Sequence, residues 1–163
     1  MKGRLYIYGT GAHARKVFHC ARACGYEVAG FVDDDPLGQS PVPGLHVWLA
    51  AALPPPARGD AAFVAIGRAD VRKRIMDRLA HGGWECPSLV HPSATVAPDV
   101  RLEAGVLIAA GVVIETATVV GRGAIVDIGA LVDHDCMVGS FGHLGPGEVL
   151  GPGVKFSSSL ELI

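Results

Sequence analysis

Charge is what this sequence has least of. Of its 163 residues, 18% are Asp, Glu, Lys or Arg, against about 25% in an average chain. With half of the residues apolar, enough burial is available to offset chain entropy, and disorder is excluded. A long apolar run is also missing. A spanning helix needs roughly 20 consecutive apolar residues, whereas the stretch from Val106 to Ile114 is broken by Gly111 and flanked by Glu103 and Glu115. No membrane span is expected. Met1 to Thr10 reads as a short strand with no apolar core of a signal peptide, which leads to the expectation of a cytoplasmic protein.

The four cysteines, at 20, 24, 86 and 136, include no C-x-x-C pair and no secreted framework. Cys20 and Cys24 stand one helical turn apart, a spacing that suits packing, and no metal site is expected. A basic stripe is absent as well: the net charge is −2, which argues against nucleic acid as a partner. That sum conceals two unlike halves. Residues 1–88 carry 11 basic and 8 acidic side chains (+3), whereas 89–163 carry 3 and 8 (−5).

What is abundant is glycine, 22 residues of it. In the first half, glycine punctuates strands. Leu5-Tyr6-Ile7-Tyr8 is a run of β-formers stopped by Gly9-Thr10-Gly11, after which Ala12 to Cys24 reads as helix. Val28 to Val32 gives a second strand ending in Asp33-Asp34-Asp35-Pro36, and Ala62 to Ile66 a third ending at Gly67. A second helix is expected from Ala69 to His81, with Arg72, Lys73, Arg74 and Arg78 on its exposed side. The segment Leu37 to Arg58 is rich in proline and glycine and reads as loop, with a short helix near Trp48 to Ala52. Strands alternating with helices predict a small Rossmann-like parallel α/β domain over residues 1–86.

Ligands of such a sheet sit beyond the carboxyl ends of its strands. Those ends are Gly9 to His13, Asp33 to Asp35 and Gly67-Arg68, and together they suggest a nucleotide-containing ligand. Glycine allows close backbone approach, and a helix N-terminus offers free N–H groups to a phosphate. An acidic residue ending the second strand is suited to accept hydrogen bonds from a ribose or base. The G-T-G-A-H-A segment lacks the third glycine of G-x-G-x-x-G, so NAD is not the expected ligand.

The second half follows a different rule. Every sixth residue from Val90 is aliphatic: Val90, Val96, Leu102, Ile108, Ile114, Val120, Val126, Val132, Val138, Leu144 and Leu150, and the period runs on through Phe156 and Leu162. Two positions earlier the residue is mostly small or β-branched, as at Ala94, Thr118, Ala124, Ala130 and Cys136. The position after each aliphatic residue is often glycine, as at Gly121, Gly139, Gly145 and Gly151, where the turn is expected. A period of six suits a parallel β-helix, with three hexads to a triangular coil. The β-helix is expected over residues 87–163. So short a prism leaves apolar faces uncovered, which predicts self-association as a homotrimer.

His134 and His143 are the only histidines deep in the repeat, and Asp127, Asp133 and Asp135 lie near them in an otherwise charge-poor stretch. On a β-helix wall such residues are either solvated or part of a site. Nine residues is half a coil, so the two histidines occupy different faces of one prism and meet only across a subunit interface.

Tyr6-Ile7-Tyr8-Gly9-Thr10-Gly11-Ala12-His13, Phe31-Val32-Asp33-Asp34, Ala65-Ile66-Gly67 with Arg72 following, Val90-His91-Pro92-Ser93-Ala94, and Val132-Asp133-His134-Asp135-Cys136 followed by His143 together carry a resemblance. The chain resembles the left-handed β-helix, hexapeptide-repeat acyltransferases, in particular bacterial nucleotide-sugar N-acetyltransferases and sialic-acid O-acetyltransferases. The resemblance implies transfer of acetyl from acetyl-CoA, the co-substrate, to an amino group, less readily a hydroxyl, of a nucleotide-linked sugar, in surface-glycan synthesis. A UDP-4-amino sugar is the expected acceptor. It implies His134 as general base, Asp135 as the acid that orients it, His143 near the acetyl carbonyl or the cofactor, and Gly9, Gly11, His13, Asp33, Asp34, Gly67 and Arg72 as the residues of the first domain that bind the nucleotide sugar. Asp127-Ile128-Gly129 stands where relatives have Asn-Thr-Gly, making Asp127 and Gly129 candidate acceptor or cofactor contacts. Relatives run several coils further, so the helix is expected to be shortened. The alternatives are a nucleotide-sugar-binding scaffold without catalysis and, more remotely, a zinc enzyme of the β-helix carbonic anhydrase type.

Overall fold

A computed structural model describes residues 3–35 and 37–157. The chain divides into two compact units, Met1–Pro87 and Ser88–Ile163.

The first unit is a four-stranded parallel sheet with helices. Its strands are β1 (Arg4–Tyr8), β2 (Glu27–Asp33), β3 (Val47–Leu49) and β4 (Ala61–Val64), in the order β3-β2-β1-β4. Helix α1 (Ala12–Ala23) packs on β1 and β2, and α2 (Ala69–His81) on β4. Leu5, Tyr6, Ile7 and Tyr8 are all buried, because a central parallel strand is covered on both faces and needs no polar alternate.

Two expectations for this unit are corrected. Trp48 lies in strand β3, not in a helix: Phe31, Val32 and Asp33 pair with Val47, Trp48 and Leu49, and only Ala50–Ala52 forms a single 3-10 turn. Ladder hydrogen bonds to an open sheet edge outweigh the weak helix signal of so short a stretch. Arg72, placed by the sequence on the exposed side of α2, is 1% exposed. It shares the buried stripe of that helix with Ile75, Met76 and Leu79.

In the second unit each hexad supplies one two-residue strand: β5 (Leu89–Val90), β6 (Thr95–Val96), β7 (Arg101–Leu102), β8 (Leu107–Ile108), β9 (Val113–Ile114), β10 (Val119–Val120), β11 (Ile125–Val126), β12 (Leu131–Val132), β13 (Met137–Val138), β14 (His143–Leu144), β15 (Val149–Leu150) and β16 (Lys155–Phe156). Strands eighteen residues apart pair in parallel, giving three sheets: β5-β8-β11-β14, β6-β9-β12-β15 and β7-β10-β13-β16. This is the expected parallel β-helix. The aliphatic residue of each hexad points inward, and Ile108, Ile114, Val120, Val126, Val132, Val138 and Leu144 are at most 1% exposed. Burying each such side chain contributes roughly 1.5–3 kcal/mol. Val90, Val96, Leu102, Leu150 and Phe156 are only partly buried, since they line the first and last described coils. Leu162 lies outside the described residues.

The turn chemistry differs from expectation. The left-handed conformation falls three residues after the aliphatic one, at Gly105, Gly111, Gly123, Gly129, Gly147 and Gly153 (φ 63° to 71°), and not at the position directly after it. Three L-residues occupy the same slot: Ala117, Asp135 and Phe141, with φ of 57°, 59° and 60°. An L-residue there costs on the order of 1–2 kcal/mol relative to glycine, somewhat less for Asp, whose short polar side chain tolerates it.

Candidate functional site

Candidate functional residues form two groups, one in each unit. In the first, the carboxyl ends of β1, β2 and β4 bring together the segments Gly9–Gly11, Asp33–Asp35 and Gly67–Arg68. Gly9 has φ +116°, its N–H donates to Val32 O at 2.7 Å, and a Cβ there would stand 2.9 Å from Ala65 O. Only glycine fits so close an approach between two strand ends. At Gly11 and Gly67 a Cβ would meet nothing, so space opens outward from both. Helix α1 starts at Gly11 with no side-chain cap and no acid in its first turn, leaving its positive end available to an anion. His13, on that first turn, is half-buried.

The acidic loop after β2 is tethered. Thr10 Oγ1 donates to Asp33 Oδ2, and the Asp35 N–H donates to Asp33 Oδ1 at 3.0 Å. Tyr8 Oη donates to Asp34 Oδ1 at 2.8 Å, and Arg78 reaches the same carboxylate at 3.1 Å while its guanidinium lies 5.2 Å from the centre of the Tyr8 ring. Burial, and then the hydrogen bond to Asp34, push the Tyr8 phenol well above its usual range, so it remains a donor. Asp34 keeps half of its side chain exposed. Nothing in the sequence near Asp34 announces Tyr8 or Arg78, 26 and 44 residues away.

Arg72 faces inward. Its Nη1 donates to Ile66 O at 2.7 Å and to Gly67 O at 2.8 Å, and burial lowers its pKa to about 10.

In the β-helix, His134 sits on the turn between β12 (Leu131–Val132) and β13 (Met137–Val138). Its Nδ1 is 2.6 Å from Asp135 Oδ2, and its backbone N–H donates to Asp133 Oδ1 at 2.8 Å. The hydrogen bond to Asp135 holds the imidazole above its usual range, and the charges of Asp133, Asp135 and Glu115 add to the effect. The turn is fixed at several points. Asp135 N–H donates to Thr116 O at 3.1 Å, Thr118 Oγ1 to Asp133 O at 3.2 Å, and Cys136 N–H to Thr118 Oγ1 at 3.3 Å. Buried Thr118 is a polar member of an otherwise apolar column, a signal legible in the hexad pattern but not used. Asp135 occupies the left-handed slot, and that conformation accompanies the turn of its carboxylate back onto its neighbour.

His143 lies in β14 (His143–Leu144), in a different sheet. A turn between the second and third sheets and a strand of the first lie on opposite sides of a triangular coil, so the structure does not bring His134 and His143 together within one chain. His143 Nε2 is 3.7 Å from Oδ2 of Asp127, a buried carboxylate whose Oδ1 accepts from Ile128 N–H at 2.7 Å. Gly129 occupies a left-handed slot and donates its N–H to Ala110 O at 3.0 Å. Beside Asp133, the face of β9, β12 and β15 carries a groove of about 310 Å³ lined by Val113, Glu115, Leu131, Asp133 and Val149. Leu131 and Val149 are 44% and 66% exposed. Among the described residues of one chain, no three His, Cys, Asp or Glu side chains gather as metal ligands, and no helix is long and apolar enough to cross a membrane.

Residues 4–79 match the family model described as the PglD N-terminal domain. A mutant of perosamine N-acetyltransferase from Caulobacter crescentus, solved in complex with CoA and GDP-perosamine, is 40% identical. The match covers 94% of this chain and 73% of that one with a TM-score of 0.85. The acetyltransferase domain of PglB from Neisseria gonorrhoeae, in complex with acetyl coenzyme A, is 32% identical over 93% of this chain and 74% of that one, with a TM-score of 0.80. WeeI from Acinetobacter baumannii, at 18% identity, a TM-score of 0.74 and coverage of 96% and 73%, shares the fold.

Proposed function

Given that this chain belongs to the hexapeptide-repeat nucleotide-sugar acetyltransferases, we propose that it moves the acetyl group of acetyl-CoA onto an amino group of a nucleotide-linked sugar. The observation that carries the proposal is the His134–Asp135 pair, 2.6 Å apart on a turn pinned by Thr116 and Thr118. Asp135 accepts a hydrogen bond from Nδ1–H and so leaves the lone pair of Nε2 to act as base. As the acceptor nitrogen attacks the thioester carbonyl, Nε2 takes its proton, the imidazolium is stabilised by Asp135, and coenzyme A leaves as the thiolate.

In the first unit, the ends of β1 and β4 and the start of α1 take the diphosphate, through Gly9, Gly11, His13 and Gly67. Asp33 and Asp34 take the ribose or base, with Asp34 offering the exposed carboxylate. Of the two nucleotides, UDP is the one that the family resemblance implies, and GDP-perosamine is the ligand in the complex of the Caulobacter relative. A homotrimer completes the site: the apolar groove beside Asp133 packs against a second copy, whose own His143, held by Asp127, is brought towards the acetyl carbonyl. Gly129 supports this wall through its backbone. The co-substrate places the reaction in the cytoplasm.

The test is thiol release from acetyl-CoA with UDP- and GDP-linked 4-amino sugars and their 4-hydroxy counterparts. Release with an amino sugar of one base, and little with the hydroxy sugars, is the expected result. No release with any acceptor overturns the assignment in favour of a binding protein. Light scattering of the purified chain checks the trimer.

A further inference from the structure

The inward-facing Arg72 carries an inference that rests on the nucleotide-sugar reading of the first unit. Arg72 is 1% exposed, so it does not meet a ligand held beyond the strand ends. It accepts no solvent role, yet it donates to two successive backbone carbonyls, Ile66 O and Gly67 O. A trans peptide is planar, with its N–H directed opposite to its C=O. Turning the Ile66 and Gly67 carbonyls onto a buried cation therefore turns the N–H groups of Gly67 and Arg68 away from the core. Neither N–H has a hydrogen-bond partner among the described residues. They stand next to Gly9, whose backbone is in close approach to Ala65 O and Ile66 Cγ1, and ahead of α2, which also starts without a side-chain cap.

We propose that Arg72 is a positioning residue for the nucleotide diphosphate: it sets two consecutive backbone N–H donors, those of Gly67 and Arg68, to face the phosphates, and does not touch the ligand itself. Successive outward N–H groups form an anion-binding concavity. Both bonds leave the same nitrogen, Nη1, whose two N–H donors are fixed in the guanidinium plane, whereas a lysine ammonium rotates on a flexible stem.

The experiment is an amide titration of the full-length protein by nuclear magnetic resonance, with GDP and with UDP, for the wild type and for Arg72→Lys. In the wild type, the Gly67 and Arg68 amide signals move together with those of Asp34 and Asp35. In Arg72→Lys, the Asp34 and Asp35 signals still move at saturation, the Gly67 and Arg68 shifts shrink, and Kd rises about tenfold, the loss of one charge-assisted hydrogen bond. Wild-type Gly67 and Arg68 signals that stay still while Asp34 and Asp35 respond overturn the inference, whether or not the variant folds. An equal loss of all four shifts in a folded Arg72→Lys overturns it too. If no amide of the first unit responds to either diphosphate in the wild type, the nucleotide-sugar reading beneath it fails.

Discussion

The two units place chemistry by opposite means. In the α/β unit, candidate ligand groups stand where regular structure stops: at the ends of β1, β2 and β4, where the chain has unpaired backbone to offer. In the β-helix no such end exists, because each strand is two residues long and every turn resembles the next. There the candidate catalytic groups sit where the repeat breaks its own rule. Asp135 fills a slot that six other hexads give to glycine, and Asp127 is a buried carboxylate eighteen residues from Ala109 and from Gly145 in the stacked coils. A solenoid announces function by exception, a sheet by position. Glycine makes the same contrast. Gly9 is needed because a neighbouring strand leaves no room, whereas Gly129 is needed only for its backbone angle, with open space around it.

The sharpest way to break this comparison is His134→Ala. Removing the base lowers kcat by roughly 10²–10⁴-fold, with melting temperature and assembly unchanged; an unaltered rate removes the exception from the site. Next in size, Gly9→Ala meets both a positive φ and a carbonyl at 2.9 Å. It costs about 2–4 kcal/mol in urea unfolding, against about 1 kcal/mol for Gly129→Ala. Equal costs erase the distinction between the two kinds of glycine. Asp135→Gly relieves the left-handed strain and adds up to about 1 kcal/mol of stability while turnover falls. A variant both more stable and equally active would mean that the broken rule serves no purpose.

The smallest effect is in pH. In the proposed mechanism His134 acts when neutral, and Asp135 raises its pKa, so kcat/KM is expected to climb with pH through a midpoint above the ordinary histidine value of 6.5. In Asp135→Asn that midpoint moves down towards 6.5, so the acid limb shifts to lower pH even as the maximum rate drops. A pH profile that keeps its midpoint in the variant detaches Asp135 from the histidine.

The same contrast explains what could be read beforehand. The β-helix was legible because a period of six forces one kind of residue into one column, and no local accident imitates eleven successive aliphatic positions. The αβ alternation of the first unit was legible from its apolar runs. Strand β3 was not, since its three residues owe their state to pairing with Phe31, Val32 and Asp33 and not to their own pattern. Arg72 was misplaced because charge normally implies exposure, and its two carbonyl partners compensate burial only in the folded chain. The His134–Asp135 contact joins adjacent residues, so the sequence already holds it. The Tyr8–Asp34–Arg78 network joins three elements and has no local signature.

The eighteen-residue ladder also governs how such a protein can change in evolution. Losing or gaining one residue throws every later side chain out of its column, whereas losing or gaining a whole coil leaves each neighbour a familiar partner. Length in this half of the molecule therefore comes in fixed steps. A lineage can lengthen or shorten this half of the molecule, one storey at a time, without disturbing the turn that carries His134.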